Sequence, residues 1–261
     1  MRALAIGATG MLAQQLNVDT ISNNIANMTT TGFKRSRAEF ADLMYENIQR
    51  AGSATTDGGT LAPTGISVGS GVRPVGVYRI NEQGSVQQTG NKLDLAIQGR
   101  GFIQVQLPSG ETAYTRDGAL ALNAQGQIVT ADGFVTVPNI TVPNNVVDIT
   151  VNKSGEVYVK LDGQTALQNI GQLQLATFVN DAGLEATGGN MYKETEASGA
   201  PTVGNPNDEG YGYFMQGALE NSNVNIVAEM TSLITAQRAY EMNSKVIRTG
   251  DDMLAALNQI K

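Results

Sequence analysis

LAIGATGMLAQQLNVDTISNNI, residues 4–25, carries an apolar side chain at every seventh position: Leu4, Met11, Val18 and Ile25. A second row, three places on, reads Gly7, Gln14, Ile21 and Met28, half apolar and half polar. A seven-residue period sustained for about four heptads is the seam of an α-helix lying along another helix. Gly32, preceded by three threonines, reads as the end of that helix. Phe33, Phe40, Leu43, Met44 and Ile48 then suggest a second helical piece.

The far end of the chain mirrors this pattern. Ile226, Leu233, Tyr240, Ile247 and Leu254 form an unbroken seven-residue row. Its companion four places on is Met230, Gln237, Ser244 and Asp251, which turns polar after its first member. Asn221-Ser-Asn223 ahead of the row offers N-cap chemistry. Each end therefore exposes a stripe that the other could cover, and the two are expected to pair like a coiled coil. Two helices with half-polar seams are marginally stable alone. Further neighbours are needed, and other copies of the chain are the obvious ones.

Between the ends the period falls to two. Val75 and Val77, then Leu93, Leu95 and Ile97, then Phe102, Ile103, Val105 and Leu107 read as strands, as do the runs at Ile149 and Val151, Val157 and Val159, and Leu173 and Leu175. Asp-Gly pairs at 117–118, 132–133 and 162–163 mark turns between them. Asn-x-x-Gly-x-Ile/Val recurs at Asn81 to Val86, Asn123 to Ile128 and Asn152 to Val157. It reads as a hairpin turn whose glycine takes the left-handed conformation. Residues 51–72 are rich in Gly, Ser and Thr and show no clear period. A stretch that long without an element is either disordered or functional.

The fold class expected is α+β: a helical segment over 1–50, an extended segment over 51–72, one central β domain over 73–219, and a C-terminal helix over 220–261 that pairs with the first. The first helix runs on through Val18 and Ile25 with glycines at 7 and 10 in its apolar start, so it reads as a retained amphipathic helix, not a cleaved leader.

Composition removes most chemistry. The 261 residues include no Cys and no His, so disulfides, thiolate nucleophiles, Ser-His-Asp triads and the usual zinc sites are impossible. Net charge is −7, with 8 basic and 15 acidic residues in the middle of the chain and near balance at the ends. No basic stripe recommends nucleic acid or an anionic membrane, and no apolar run could insert into a bilayer. Gly99-Arg-Gly101 and Gly69-Ser-Gly71 lack the third glycine of a nucleotide fingerprint and the strand-to-helix switch it requires. Asp94, Glu111 and Asp117 could be imagined as a glycosidase pair, but scattered carboxylates at turns are far more often just solvated. No catalytic, cofactor-binding or metal-binding residue is assigned.

Four stretches carry a resemblance: Ser22-Asn-Asn-Ile-Ala-Asn-Met-Thr-Thr-Thr-Gly-Phe-Lys34; Asp94-Leu-Ala-Ile-Gln-Gly-Arg-Gly-Phe102; Tyr114-Thr-Arg-Asp-Gly118; and Ser222-Asn-Val-Asn-Ile226 continuing to Gln237-Arg-Ala-Tyr-Glu-Met-Asn-Ser-Lys245. In wording and order they resemble the bacterial flagellar rod and hook proteins, an axial family. Within it, the length and the 51–72 segment are more similar to the distal-rod branch than to the hook branch, which usually has a further β domain, or to the proximal-rod branch. The resemblance implies a non-enzymatic drive-shaft subunit, exported unfolded without a cleaved signal peptide, that polymerises helically and transmits torque to the hook. It implies proximal rod proteins, the hook protein and the P and L ring proteins as partners, and a place in the basal body from periplasm to outer membrane. The subunit contacts it implies are Leu4, Met11, Val18, Ile21, Ile25, Ile226, Met230, Leu233, Tyr240, Ile247 and Leu254, with Leu61, Ile66 and Val68 anchoring the rod-specific segment. A secreted β-domain enzyme or adhesin is the competing class.

Overall fold

The computed structural model describes residues 2–52, 63–163 and 166–259. It is an α+β protein with a helix at each end and strands between. The chain forms two compact units, one from Met1–Ile25, Ser36–Tyr78 and Ile226–Lys261, the other from Ala26–Arg35 and Arg79–Asn225.

In the first unit, α1 (Arg2–Ala26) is built from good helix formers and carries only two charged residues, Arg2 and Asp19. Each of its glycines, Gly7 and Gly10, costs ~1 kcal/mol of helix propensity relative to Ala. Both sit where α2 (Ile226–Gln259) approaches. A Cβ on Gly7 would lie 3.0 Å from Ile247 Cγ1, and one on Gly10 would lie 2.8 Å from Asn243 Nδ2. Gly250 meets Leu4 in the same way, at 3.0 Å from Cδ2. The contacts descend along α2 as they ascend along α1, so the helices run antiparallel. At the other end of the pair, buried Asn24 donates to Glu229 at 3.3 Å.

The stretch directly after α1 is not helical. Residues Ser36–Asp42 and Tyr45–Gln49 are strands, which corrects the helical reading of Phe40, Leu43, Met44 and Ile48. Arg37 and Glu39 alternate with Ala38 and Phe40, a period of two that outweighs the looser helical spacing once partner strands exist. Those partners lie in the stretch read as structureless. Ile66–Gly69 pairs with Tyr45–Gln49, and Val72–Arg79 pairs with Ser36–Asp42. Ile66 and Val68 therefore stand on a two-stranded ribbon, while Leu61 lies outside the described residues. The ribbon is tied to α1 at Gly71, where φ is +119° and an added Cβ would lie 2.3 Å from Thr9 Oγ1. α1 also ends at Ala26, earlier than Gly32 suggested, and a turn follows.

The second unit is antiparallel throughout. Its largest sheet runs in the order 185–188, 191–193, 112–115, 102–106, 135–137, 128–130, 120–122, with 175–177 also pairing to 102–106 and carrying 202–204. A three-stranded sheet holds 146–151, 156–161 and 167–172. Leu95, Ile97, Ile103, Val105, Val157, Val159, Leu173, Leu175 and Phe214 form its core, each almost wholly buried. A smaller aromatic cluster joins Phe102, Tyr114, Phe178 and Tyr192, with ring centroids 4.8–6.0 Å apart.

Two of the three Asn-x-x-Gly repeats are the turns expected. Gly126 and Gly155 both have φ of +78°, and the N–H of each donates to the asparagine carbonyl three residues back, at 2.9 and 3.0 Å. The third is different: Gly84 is not left-handed, and its N–H donates to the Glu220 carboxylate at 2.9 Å.

Candidate functional site

The helix pair presents two kinds of face. The face turned inward is small and polar. Gly7, Ala13, Thr20, Ile21 and Asn24 are buried on α1; Glu229, Ala236 and Gly250 are buried on α2. On α2 the inward companion of the Leu233, Ile247 and Leu254 row therefore lies three places on from each heptad position, not four. Small side chains there allow the close helix approach that a leucine row would prevent.

The expected contact residues flank this seam. Leu4, Met11, Val18, Ile25, Leu233, Ile247 and Leu254 are half-buried, whereas Ile226, Met230 and Tyr240 are exposed. Val18 and Tyr240 come together, lining a shallow groove of about 500 Å³ with Gln15, Gln237 and Glu241. Leu12, Val227, Ile234, Met242, Val246 and Met253 are also exposed, and periodicity did not single them out. Met242, Val246 and Met253 border a second groove of about 340 Å³ with Ala3, Lys245 and Thr249. Singly exposed apolar residues are ordinary, whereas here several stand along one helix.

The β unit carries a buried ionic cluster instead. Lys34, Arg116 and Glu220 are each at most 5% exposed. Lys34 Nζ donates to Glu220 Oε1 at 2.6 Å and to the Glu82 carbonyl at 2.8 Å. Arg116 Nε donates to Glu220 Oε2 at 2.8 Å, and its terminal nitrogens reach the carbonyls of Gly99 and Gly101 at 2.8 and 3.2 Å. Burial, reinforced by the Arg116 charge, pushes the Lys34 ammonium below its ordinary range, and Glu220 offsets this only in part. For Glu220 burial alone would raise the carboxyl, yet Arg116 and Lys34 outweigh it and hold the group below the usual carboxylate range. Periodicity missed Glu220; the one sign of it is a charged residue beside the apolar alternation that ends at Leu219.

Two asparagines secure the chain beside these features. Asn24 accepts from Ser36 N and donates to Ser36 O, both at 2.8 Å. Asn223 accepts from Arg35 N and donates to Ile80 O, again at 2.8 Å. Asn223 thus holds backbone within the β unit, not the start of α2 as its position suggested.

The carboxylates considered for hydrolysis are occupied by turns and ion pairs. Asp94 accepts from Asn91 and Thr89, Asp117 accepts from Thr31 and the Ala119 amide, and Glu111 pairs with Lys193. Among the described residues no group of three metal-ligating side chains occurs, and no helix is long and apolar enough to cross a membrane.

Comparison with known proteins gives three family matches in chain order. Residues 4–34 match the flagella basal body rod protein family, 96–159 the flagellar hook protein FlgE/F/G D1 domain, and 215–260 the flagellar basal body rod FlgEFG protein C-terminal family. The chain is 58% identical to the flagellar basal-body rod protein FlgG of Caulobacter vibrioides over all of both chains. It is 47% identical to the protein of that name in Borreliella burgdorferi, covering 100% of this chain and 99% of the relative. It is 31% identical to the flagellar hook-basal body complex protein FlhP of Bacillus subtilis, again over both full lengths.

Proposed function

We propose a use for this geometry from one premise: the chain belongs to the flagellar basal-body rod protein family. It is a structural subunit of the bacterial flagellum, of the kind named FlgG, the distal rod protein. In our reading the subunits polymerise helically into the shaft that carries torque from motor to hook. The helices from the two chain ends pair in coiled-coil fashion, and their remaining apolar rows meet neighbouring copies. Contacts repeated head to tail without ring closure generate such an open filament.

The observation that carries this reading is the set of exposed apolar side chains on α2, with Met230, Ile234, Met242, Val246 and Met253 as its core. A subunit that never assembled would have no reason to leave them in water. The Ile66 and Val68 ribbon would lie against adjacent copies in the same way and stiffen the shaft. Partners beyond the chain itself would be the proximal rod proteins below, the hook protein above and the P and L ring proteins around it, in the span from periplasm to outer membrane. No cofactor enters this reading.

Met230→Asp and Ile234→Asp test it, because both side chains are exposed and neither substitution should disturb the fold of a single chain. The expected outcome is a folded, soluble subunit that fails to build rods and leaves cells non-motile. Normal motility in both variants would remove these rows from the interface.

A further inference from the structure

We propose that residues 31–34 form a latch in the β unit, held closed by the charge of Glu220, and that protonation of this carboxylate releases it.

The latch is a short peptide seated in a socket made by other parts of the unit. Thr31 Oγ1 donates to Asp117 Oδ1 at 2.9 Å, and the Thr31 carbonyl accepts from Asn190 Nδ2 at 3.2 Å. Gly32 N donates to the Glu220 carbonyl at 2.8 Å. Its φ of +66° lets it lie on the Arg116–Asp117 backbone, where a Cβ would be only 2.9 Å away. Lys34 then enters the interior and closes on Glu220 Oε1.

The charged groups of the socket keep partners without the latch. Arg116 remains paired with Glu220 Oε2 and fixed by the Gly99 and Gly101 carbonyls, and Gly84 N still donates to Glu220 Oε1. Without Lys34 the buried charges are one of each sign. With it, a single carboxylate serves two buried cations. Protonating Glu220 leaves two cations in a desolvated site with no anion between them, an arrangement that proteins do not sustain. Arg116 is held by carbonyls on both sides of a turn between strands, so Lys34 is the group that leaves.

The other charged or titratable groups around the site do not substitute for Glu220. On the latch's own segment Arg35 pairs with Glu82 at 3.6 Å, at the surface. Arg79 lies over the Tyr192 ring at 4.6 Å. Asp117 faces Thr31, not Lys34. Among the described residues Glu220 is therefore the one carboxylate that neutralises the site. Opening would free residues 31–34 while the strands of that unit stay folded.

Hydrogen exchange by mass spectrometry on the full chain, corrected for the intrinsic pH dependence of exchange, tests this. In the wild-type protein the amides of residues 32–35 should lose protection as the pH falls below the carboxylate range, by a factor on the order of 100, while strands 95–98 and 102–106 keep theirs. E220Q should show that loss at neutral pH, with the near-ultraviolet signal of the Phe102, Tyr114, Phe178 and Tyr192 cluster intact. K34M removes the surplus cation and should keep the segment protected at acid pH values where the wild type has opened. Wild-type exchange of 32–35 that tracks the strands at every pH would overturn the proposal, as would wild-type protection in E220Q at neutral pH. Should E220Q fail to fold, K34M decides: opening at the same pH as the wild type would refute the latch.

Discussion

Lys34, Arg116 and Glu220 set the electrostatics of the β unit, and their effect on stability has a definite sign. Burial and Arg116 hold the Lys34 ammonium below its ordinary range, so an unfolded chain binds that proton more tightly. Between the folded value and the usual lysine value the unfolded state carries more protons, and stability rises with pH across that window. Glu220 has the same sign at the other end of the scale: its contribution is complete above the usual carboxylate value and is lost as the pH falls through its depressed folded value. Urea midpoints measured against pH should show both slopes in the wild type, and the alkaline one should vanish in K34M. A second residue-scale prediction concerns glycines. Gly32→Ala meets both a left-handed φ and the Arg116–Asp117 backbone, and should cost about 1–3 kcal/mol. Gly133→Ala has a φ of +86° but open space around it, and should cost only ~1 kcal/mol or slightly more. Equal midpoints for the two variants would show that the Gly32 contact carries no weight.

At the scale of elements, the helices and the β-rich middle were legible because their periods are long and unmixed. Leu4, Met11, Val18 and Ile25 announce α1, and alternation with Asp-Gly turns announces the hairpins. The partner face was not legible. Periodicity looks for large apolar side chains, whereas the seam of this pair is made by Gly7, Gly10, Ala236 and Gly250, whose value lies in their absence of bulk. The strands at Ser36–Asp42 and Tyr45–Gln49 were hidden for another reason. A two-stranded ribbon is decided by its partner, and the partner sits beyond a Gly- and Thr-rich stretch with little pattern. The ionic cluster was invisible because its three members lie 82 and 104 positions apart along the chain and only the fold unites them. The seam makes a prediction: Gly250→Leu forces side-chain bulk against Leu4 and should destabilise the helix pair by about 1–3 kcal/mol. Helical circular dichroism should then melt earlier, with the tyrosine signal of the β unit unchanged. Coincident, unshifted melting would mean that the helices do not depend on this contact.

For the whole molecule, the two units answer different demands. The β unit has a closed hydrophobic core and a fully bonded ionic centre, so a single chain satisfies it. The helix pair buries small and polar groups internally and leaves Met230, Ile234, Met242, Val246 and Met253 in water. Such a division suits a subunit that folds its body alone and completes its helices by association, and the lack of cysteine leaves no disulfide to oppose unfolding. We propose that the exposed apolar rows of α2 are the contacts between subunits. A helical reconstruction of assembled rods by electron microscopy, at side-chain resolution, would show where these side chains lie. Met230, Ile234, Met242, Val246 and Met253 should be buried against other copies of the chain; their exposure to solvent in the assembled shaft would rule these rows out as the interface.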